Sequence, residues 1–180
     1  MSRIPAHTLD NAPEQSRDTL AGLAKKVGKV LNIHSGMAHS PVVLAAYKGI
    51  GDAIASYGTL DARTRETIAL AVANEDGCDY YESAHTLSGK AAGLSLDQTL
   101  AIRGNTINFD DKLAKIAAVV REAAANTGTV SDLTWKEALE PGWTKQELAE
   151  TFAQATLFAC GAGDGNRTRT VSLGMVTMPA

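Results

Sequence analysis

With 180 residues and 44% apolar content, the chain holds enough for one substantial core, and global disorder is excluded. Its net charge of −3 comes from interspersed charges of both signs, so there is no basic stripe to meet a nucleic acid. No apolar run approaches a membrane span. Two cysteines, Cys78 and Cys160, are too few for a disulfide scaffold; with an N-terminus that lacks an apolar stretch, they point to a cytoplasmic setting.

Residues 1–12 read as an extended arm punctuated by Pro5 and Pro13. From Pro13 to Leu31, Leu20, Leu23, Ala24, Val27 and Leu31 recur at intervals of three and four, the pattern of an amphipathic helix. His34, Ser35, Gly36 and His39 mark a loop. Ser40-Pro41 opens the next helix as N-cap and first helical residue, with Val43, Tyr47, Ile50 and Ile54 as its stripe and Gly58 as its stop.

Asp61 caps a third helix, Ala62 to about Glu75, with Ile68, Val72 and alanines facing inward. Gly77 divides it from a fourth helix that begins near Cys78 and ends near Gly93. Ser95 with Gln98 forms a capping box for a short helix ending at Gly104. Asp110 or Asp111 caps the next, whose core face is Leu113, Ile116, Ala117 and Val120. Thr134 with Glu137 and Thr144 with Glu147 predict two further capping boxes, and the last helix carries Leu148, Phe152, Ala155 and Phe158.

No stretch alternates with period two, so the expectation is an all-α helical bundle in a single domain over residues 13–160. Cys160 is expected to be a core residue. The tail, 161–180, is atypical: it is rich in glycine and threonine and has no helical stripe. Its G-x-G-x-G follows a helix rather than a strand, which excludes a dinucleotide loop.

The stretch from Glu66 to Leu96 concentrates the chemistry. Cys78, Tyr81, Glu82 and His85 stand at i, i+3, i+4 and i+7, sharing one helix face over two turns. A tight hairpin through Gly77 folds Glu66, on the preceding helix, back beside His85. A carboxylate there fixes the imidazole tautomer, and a thiol at a helix N-terminus has its thiolate favoured. By themselves these residues fit a buried structural cysteine with ordinary surface or core groups better than a redox site. Glu82 and His85 also form an E-x-x-H element of the kind found in di-iron bundles. A second such element is missing, because none of His7, His34 and His39 follows a glutamate at that spacing, and no metal is expected.

The segment GCDYYESAHTLSGKAAGLS, residues 77–95, resembles the core of the AhpD-like alkylhydroperoxidases within the carboxymuconolactone decarboxylase family. Their motif is a glutamate, C-x-x-C, three residues and a histidine. Glu66, Cys78, Tyr81 and His85 match it in spacing, and a weaker resemblance runs from about Ser40 to Phe158. The resemblance implies an AhpD-like bundle that assembles as a homo-oligomer, a trimer or hexamer. It also implies thiol-dependent reduction of a peroxide or other small-molecule substrate, with a dithiol or lipoyl-bearing protein as reductant and no cofactor.

Carried over by position, Cys78 is the resolving cysteine, His85 the proton acceptor and Glu66 its partner. Tyr81 occupies the place of the attacking cysteine. A phenol ordinarily titrates near about pH 10 and forms neither a sulfenic acid nor a disulfide. The resemblance therefore implies an impaired antioxidant enzyme, or a non-catalytic oligomeric or binding protein of the same family.

Overall fold

The computed structural model describes residues 4–165, with side chains as far as residue 159. The Cys160 side chain and most of the tail thus lie outside the described residues. Among the described residues the regular structure is entirely helical, and no helix is long and apolar enough to cross a membrane. The chain divides into two compact units, one ending at Tyr57 and the other beginning at Gly58.

The first unit holds the arm and three helices: α1 (Glu14–Val27), α2 (Asn32–Met37) and α3 (Pro41–Tyr57). The arm turns back on itself at residues 9–12, where the Asn11 side chain accepts from the Thr8 N–H at 2.7 Å. Leu20 and Leu23 of α1 are buried as their spacing predicts, whereas Val27 is exposed and the helix stops at Gly28, in the left-handed conformation.

Two further expectations fail in this unit. Residues 32–37 form a short helix rather than a loop, with Ile33, His34, Ser35, Gly36 and Met37 buried. In α3 the fully buried residue is Leu44, not its neighbour Val43, which is exposed. The α3 sequence is apolar almost all round, so its composition leaves the inward face undetermined.

The second unit is built around α4 (Ala62–Glu75). This helix packs against α5 (Asp79–Ala91), α6 (Leu96–Arg103), α7 (Asp111–Ala125) and α9 (Lys145–Gly165), while α8 (Asp132–Leu139) packs on α7. The centre of α4 is buried on every side: Ile68, Leu70 and Val72 join the core, and Ala69, Ala71 and Ala73 keep its girth small enough for four neighbours. Leu113, Ile116, Ala117 and Val120 of α7 and Leu148 of α9 complete the core, as expected.

Local capping sets the helix starts. Asp61, Ser95 and Asp110 each accept from the backbone N–H three residues on. The Ser95–Gln98 and Thr144–Glu147 boxes close in both directions. The expected box at Thr134–Glu137 does not form. Ser131 caps α8 by accepting from the Thr134 N–H, and Glu137 instead takes Lys115 at 2.9 Å.

The α4–α5 corner is a Schellman turn. The Gly77 N–H donates to Asn74 O and the Cys78 N–H to Ala73 O, with Gly77 at φ +62°. A side chain at this angle is strained, so Gly77→Ala is expected to lower unfolding stability by about 1–2 kcal/mol. Denaturant titration of the two proteins checks this; equal midpoints would show that the corner tolerates a Cβ.

Candidate functional site

The corner returns α5 along α4 so that Glu66 and His85 meet. The Nδ1–H of His85 donates to Glu66 Oε2 at 2.7 Å, with both side chains mostly buried. A carboxylate only accepts, so the neutral imidazole carries its proton on Nδ1 and presents Nε2 as the acceptor. Among the described residues, none hydrogen-bonds to Nε2.

One turn further along α5, Gly89 sets how closely the helices approach. A Cβ there would stand 3.2 Å from Thr99 Cγ2, 3.3 Å from Leu94 Cδ1 and 3.8 Å from Glu66 Cβ. The bare backbone at Gly89 lets Thr99 of α6 and Leu94 close against α5, with Glu66 of α4 at ordinary contact distance.

Tyr81 is buried, and its ring lies nearly parallel to that of His85, with planes 17° apart and centroids 5.4 Å apart. Phe158 of α9 meets the same imidazole edge-on at 4.9 Å and Tyr81 at 6.4 Å. His85 is thus enclosed by two aromatic rings, a packing that favours a dry and rigid ring.

Cys78 is the N-cap residue of α5 and is buried, at 2% exposure. The expectation that a helix N-terminus favours its thiolate is overturned. Burial pushes the Cys78 thiol up from its ordinary value, and the backbone N–H groups of Tyr81 and Tyr80 offset this only in part. The carboxylates of Asp76 and Asp79 add to the rise.

Glu82 is turned away from His85 into a polar cluster. It accepts from Asn74 Nδ2 at 2.9 Å and from Arg103 Nη2 at 2.6 Å, so the E-x-x-H element does not converge on one point. Arg121 of α7 extends the cluster. It donates to Asn74 Oδ1 at 2.9 Å, to Ile102 O at 2.7 Å and to Arg103 O at 3.2 Å, and it lies 3.5 Å from a Glu75 oxygen. A cation is thereby placed at the C-terminal ends of both α4 and α6, where unpaired carbonyls and the helix dipoles favour it. Burial lowers the Arg121 guanidinium from its ordinary value, opposed by Glu75 and Glu82.

The structure therefore brings Glu66, Tyr81 and His85 together and places Cys78 at the head of the same helix. Sequence reasoning missed Phe158 as a wall of the site, and it missed the Asn74, Arg103 and Arg121 support. Phe158 was legible only as a core position, and the other three are joined across 8 to 47 residues of chain with no local pattern.

Residues 41–109, which include all four motif positions, match the model of the carboxymuconolactone decarboxylase family. An uncharacterized protein of Haemophilus influenzae is 51% identical over 45 residues, 25% of this chain and 40% of that protein; the match spans less than half of that relative's length. Among solved structures, the alkylhydroperoxidase AhpD core of a peroxidase-related protein from Ralstonia eutropha superimposes with a TM-score of 0.76 at 20% identity. The alignment covers 90% of this chain and 87% of that one. A variant of the debrominase Bmp8 in complex with 2,3,4-tribromopyrrole superimposes with a TM-score of 0.71 at 14% identity, over 91% and 87% of the two chains. At those identities the structures establish the fold. The fold is thus that of the AhpD-core structure, and residues 41–109 of this chain resemble the carboxymuconolactone decarboxylase family.

Proposed function

We propose that this protein is an AhpD-like thiol peroxidase whose two-thiol cycle is interrupted at residue 81. In the intact cycle that the resemblance implies, a cysteine at this position gives its proton to His85, held by Glu66. Its sulfur attacks the peroxide O–O bond, forming a sulfenic acid and releasing an alcohol or water. The Cys78 sulfur then displaces the sulfenic oxygen as water, closing a disulfide that a dithiol or lipoyl-bearing partner reduces.

Here the first step has no sulfur. The observation that carries the proposal is the buried Tyr81 ring lying nearly parallel to that of His85, with centroids 5.4 Å apart, at the position of the attacking cysteine. Cys78 remains, but its thiol is buried and held protonated, so it serves poorly as a substitute nucleophile. In this reading the protein is a cytoplasmic homo-oligomer with weak one-thiol activity or none.

The decisive assay follows dithiol-dependent turnover of hydrogen peroxide, an alkyl hydroperoxide and 2,3,4-tribromopyrrole. Tyr81→Cys is expected to raise peroxide turnover by about 10²-fold or more, the contribution of a positioned proton acceptor. Adding Glu66→Gln is expected to remove at least about tenfold of that gain, because the amide oxygen can still accept from Nδ1–H but lacks the charge that stabilises the imidazolium formed on proton transfer. A correctly folded Tyr81→Cys protein with no gain would favour the non-catalytic reading instead.

The state of Cys78 gives a separate measurement. Its folded-state value lies above that of the unfolded chain, so the stability it contributes is present below about pH 8.5 and is lost as pH rises through the higher folded value. Stability of the native chain is expected to fall more steeply above about pH 8.5 than that of Cys78→Ala. Thiol alkylation at Cys78 should likewise be slow at neutral pH and accelerate through the alkaline range. Fast neutral labelling of the folded protein would contradict the protonated, buried thiol.

A further inference from the structure

Helix α3 of the first unit keeps a whole apolar face in solvent. The helix is apolar almost all round, yet Leu44 is its one buried residue. Val42, Ala46, Gly49, Ala53, Ser56 and Tyr57 are all exposed, Val42 at 76% and Tyr57 at 84%. At about 3.6 residues per turn they fall within an arc of about 100° that runs the length of the helix. The two charges of α3, Lys48 and Asp52, lie to one side of this arc. They pair with each other, and Lys26 of α1 joins them. A helix ordinarily turns its apolar stripe to a core, and a continuous uncharged stripe left outside marks a contact surface.

The order of side chains along this face is complementary to itself. Its midpoint falls between Gly49 and Ile50. Val42 and Tyr57 stand equally far from that point on either side, as do Ala46 and Ala53. Laid antiparallel across a second α3 about a two-fold axis through the midpoint, Val42 of each copy meets Tyr57 of the other, Ala46 meets Ala53, and Ile50 meets Gly49. A Cβ at Gly49 would have nothing within 4 Å, so the opposing Ile50 has room. Bulk stands at the ends of each helix and small residues stand at the middle, which suits a crossing with axes about 8 Å apart.

Charge and area both bear on the occupant. A two-fold axis sets each group near its own image, so a charge on this face would repel itself, and the face carries none. The same lack of charge gives a foreign partner no electrostatic handle by which to be selected. Pairing along about 25 Å of helix covers on the order of a few hundred Å² per copy, against about 800 Å² per partner in a standard stable interface. The association is therefore reversible and depends on concentration.

We propose that the exposed face of α3 is a self-association surface, which pairs antiparallel with α3 of a second copy about a two-fold axis between Gly49 and Ile50. The proposal gives the homo-oligomer of the proposed function a specific contact and rests on none of the thiol chemistry. Its readouts are mass and cross-linking, so its outcome is independent of the Tyr81→Cys turnover assay.

The test follows the mass of the full-length chain against concentration by sedimentation equilibrium, beside Gly49→Glu and Ala55→Glu. Gly49→Glu sets a carboxylate at the crossing and exchanges a poor helix former for a good one in open space, so the chain keeps its fold. Ala55→Glu adds the same charge to an exposed residue of α3 outside the face. The native chain and Ala55→Glu are expected to associate alike, and Gly49→Glu to weaken the two-fold step at least about tenfold, because it buries an unpaired charge. No association of the native chain, equal association in Gly49→Glu, or an equal loss in Ala55→Glu would overturn the proposal. Orientation is read separately, in a Cys78→Ser, Cys160→Ser background. Oxidising a mixture of Ala46→Cys and Ala53→Cys chains is expected to join one of each; like joined to like instead, or no cross-link, would overturn the antiparallel register.

Discussion

The hydrogen bond between Glu66 and His85 is the constraint on which the second unit's site depends. It exists only if two consecutive helices reverse direction within a few residues and then pack side by side. Gly77 supplies the reversal through its left-handed backbone, and Gly89, by having no side chain, lets Thr99 and Leu94 close over α5 one turn beyond His85. The alanines of α4 extend the same economy of volume to the rest of the unit. A helix that receives four neighbours can hold one carboxylate against one imidazole with little room for either to swing.

In the proposed reading the phenolic ring at residue 81 stands where sulfur would, and the packing absorbs it. A flat ring stacked on an imidazole, with a second ring edge-on to both, gains aromatic contacts that a cysteine would not make. The fold therefore has no need of sulfur at this position. In that reading the acid–imidazole pair persists beside a residue that cannot use it, as expected when stability and chemistry are carried by different atoms of one cluster.

Much of the second unit could be read in the amino-acid order because its signals are local. Asp61, Ser95 with Gln98, and Thr144 with Glu147 mark helix starts through bonds that span three residues. The spacing from Glu66 to His85 likewise encoded the hairpin. What escaped notice depended on partners distant in the chain. Helix α2 is six residues long with no apolar period, and it is a helix because its surroundings bury it. Ser131 and Thr134 are both plausible caps, and the choice fell to Ser131 once Lys115 drew Glu137 away. The thiol of Cys78 was misjudged because position on a helix says nothing of burial, and desolvation outweighed the backbone N–H groups.

The guanidinium of Arg121 has a consequence for motion. One side chain bonded to the closing carbonyls of α6 and to Asn74 and Glu75 at the end of α4 makes the fraying of the two helices interdependent. Neither terminal turn can open without surrendering bonds in the other, so the small excursions that loosen isolated helix ends are suppressed at both. The hairpin then breathes only when a larger cooperative block of the unit does, and the geometry around residue 85 outlasts fluctuations that pass through the loops.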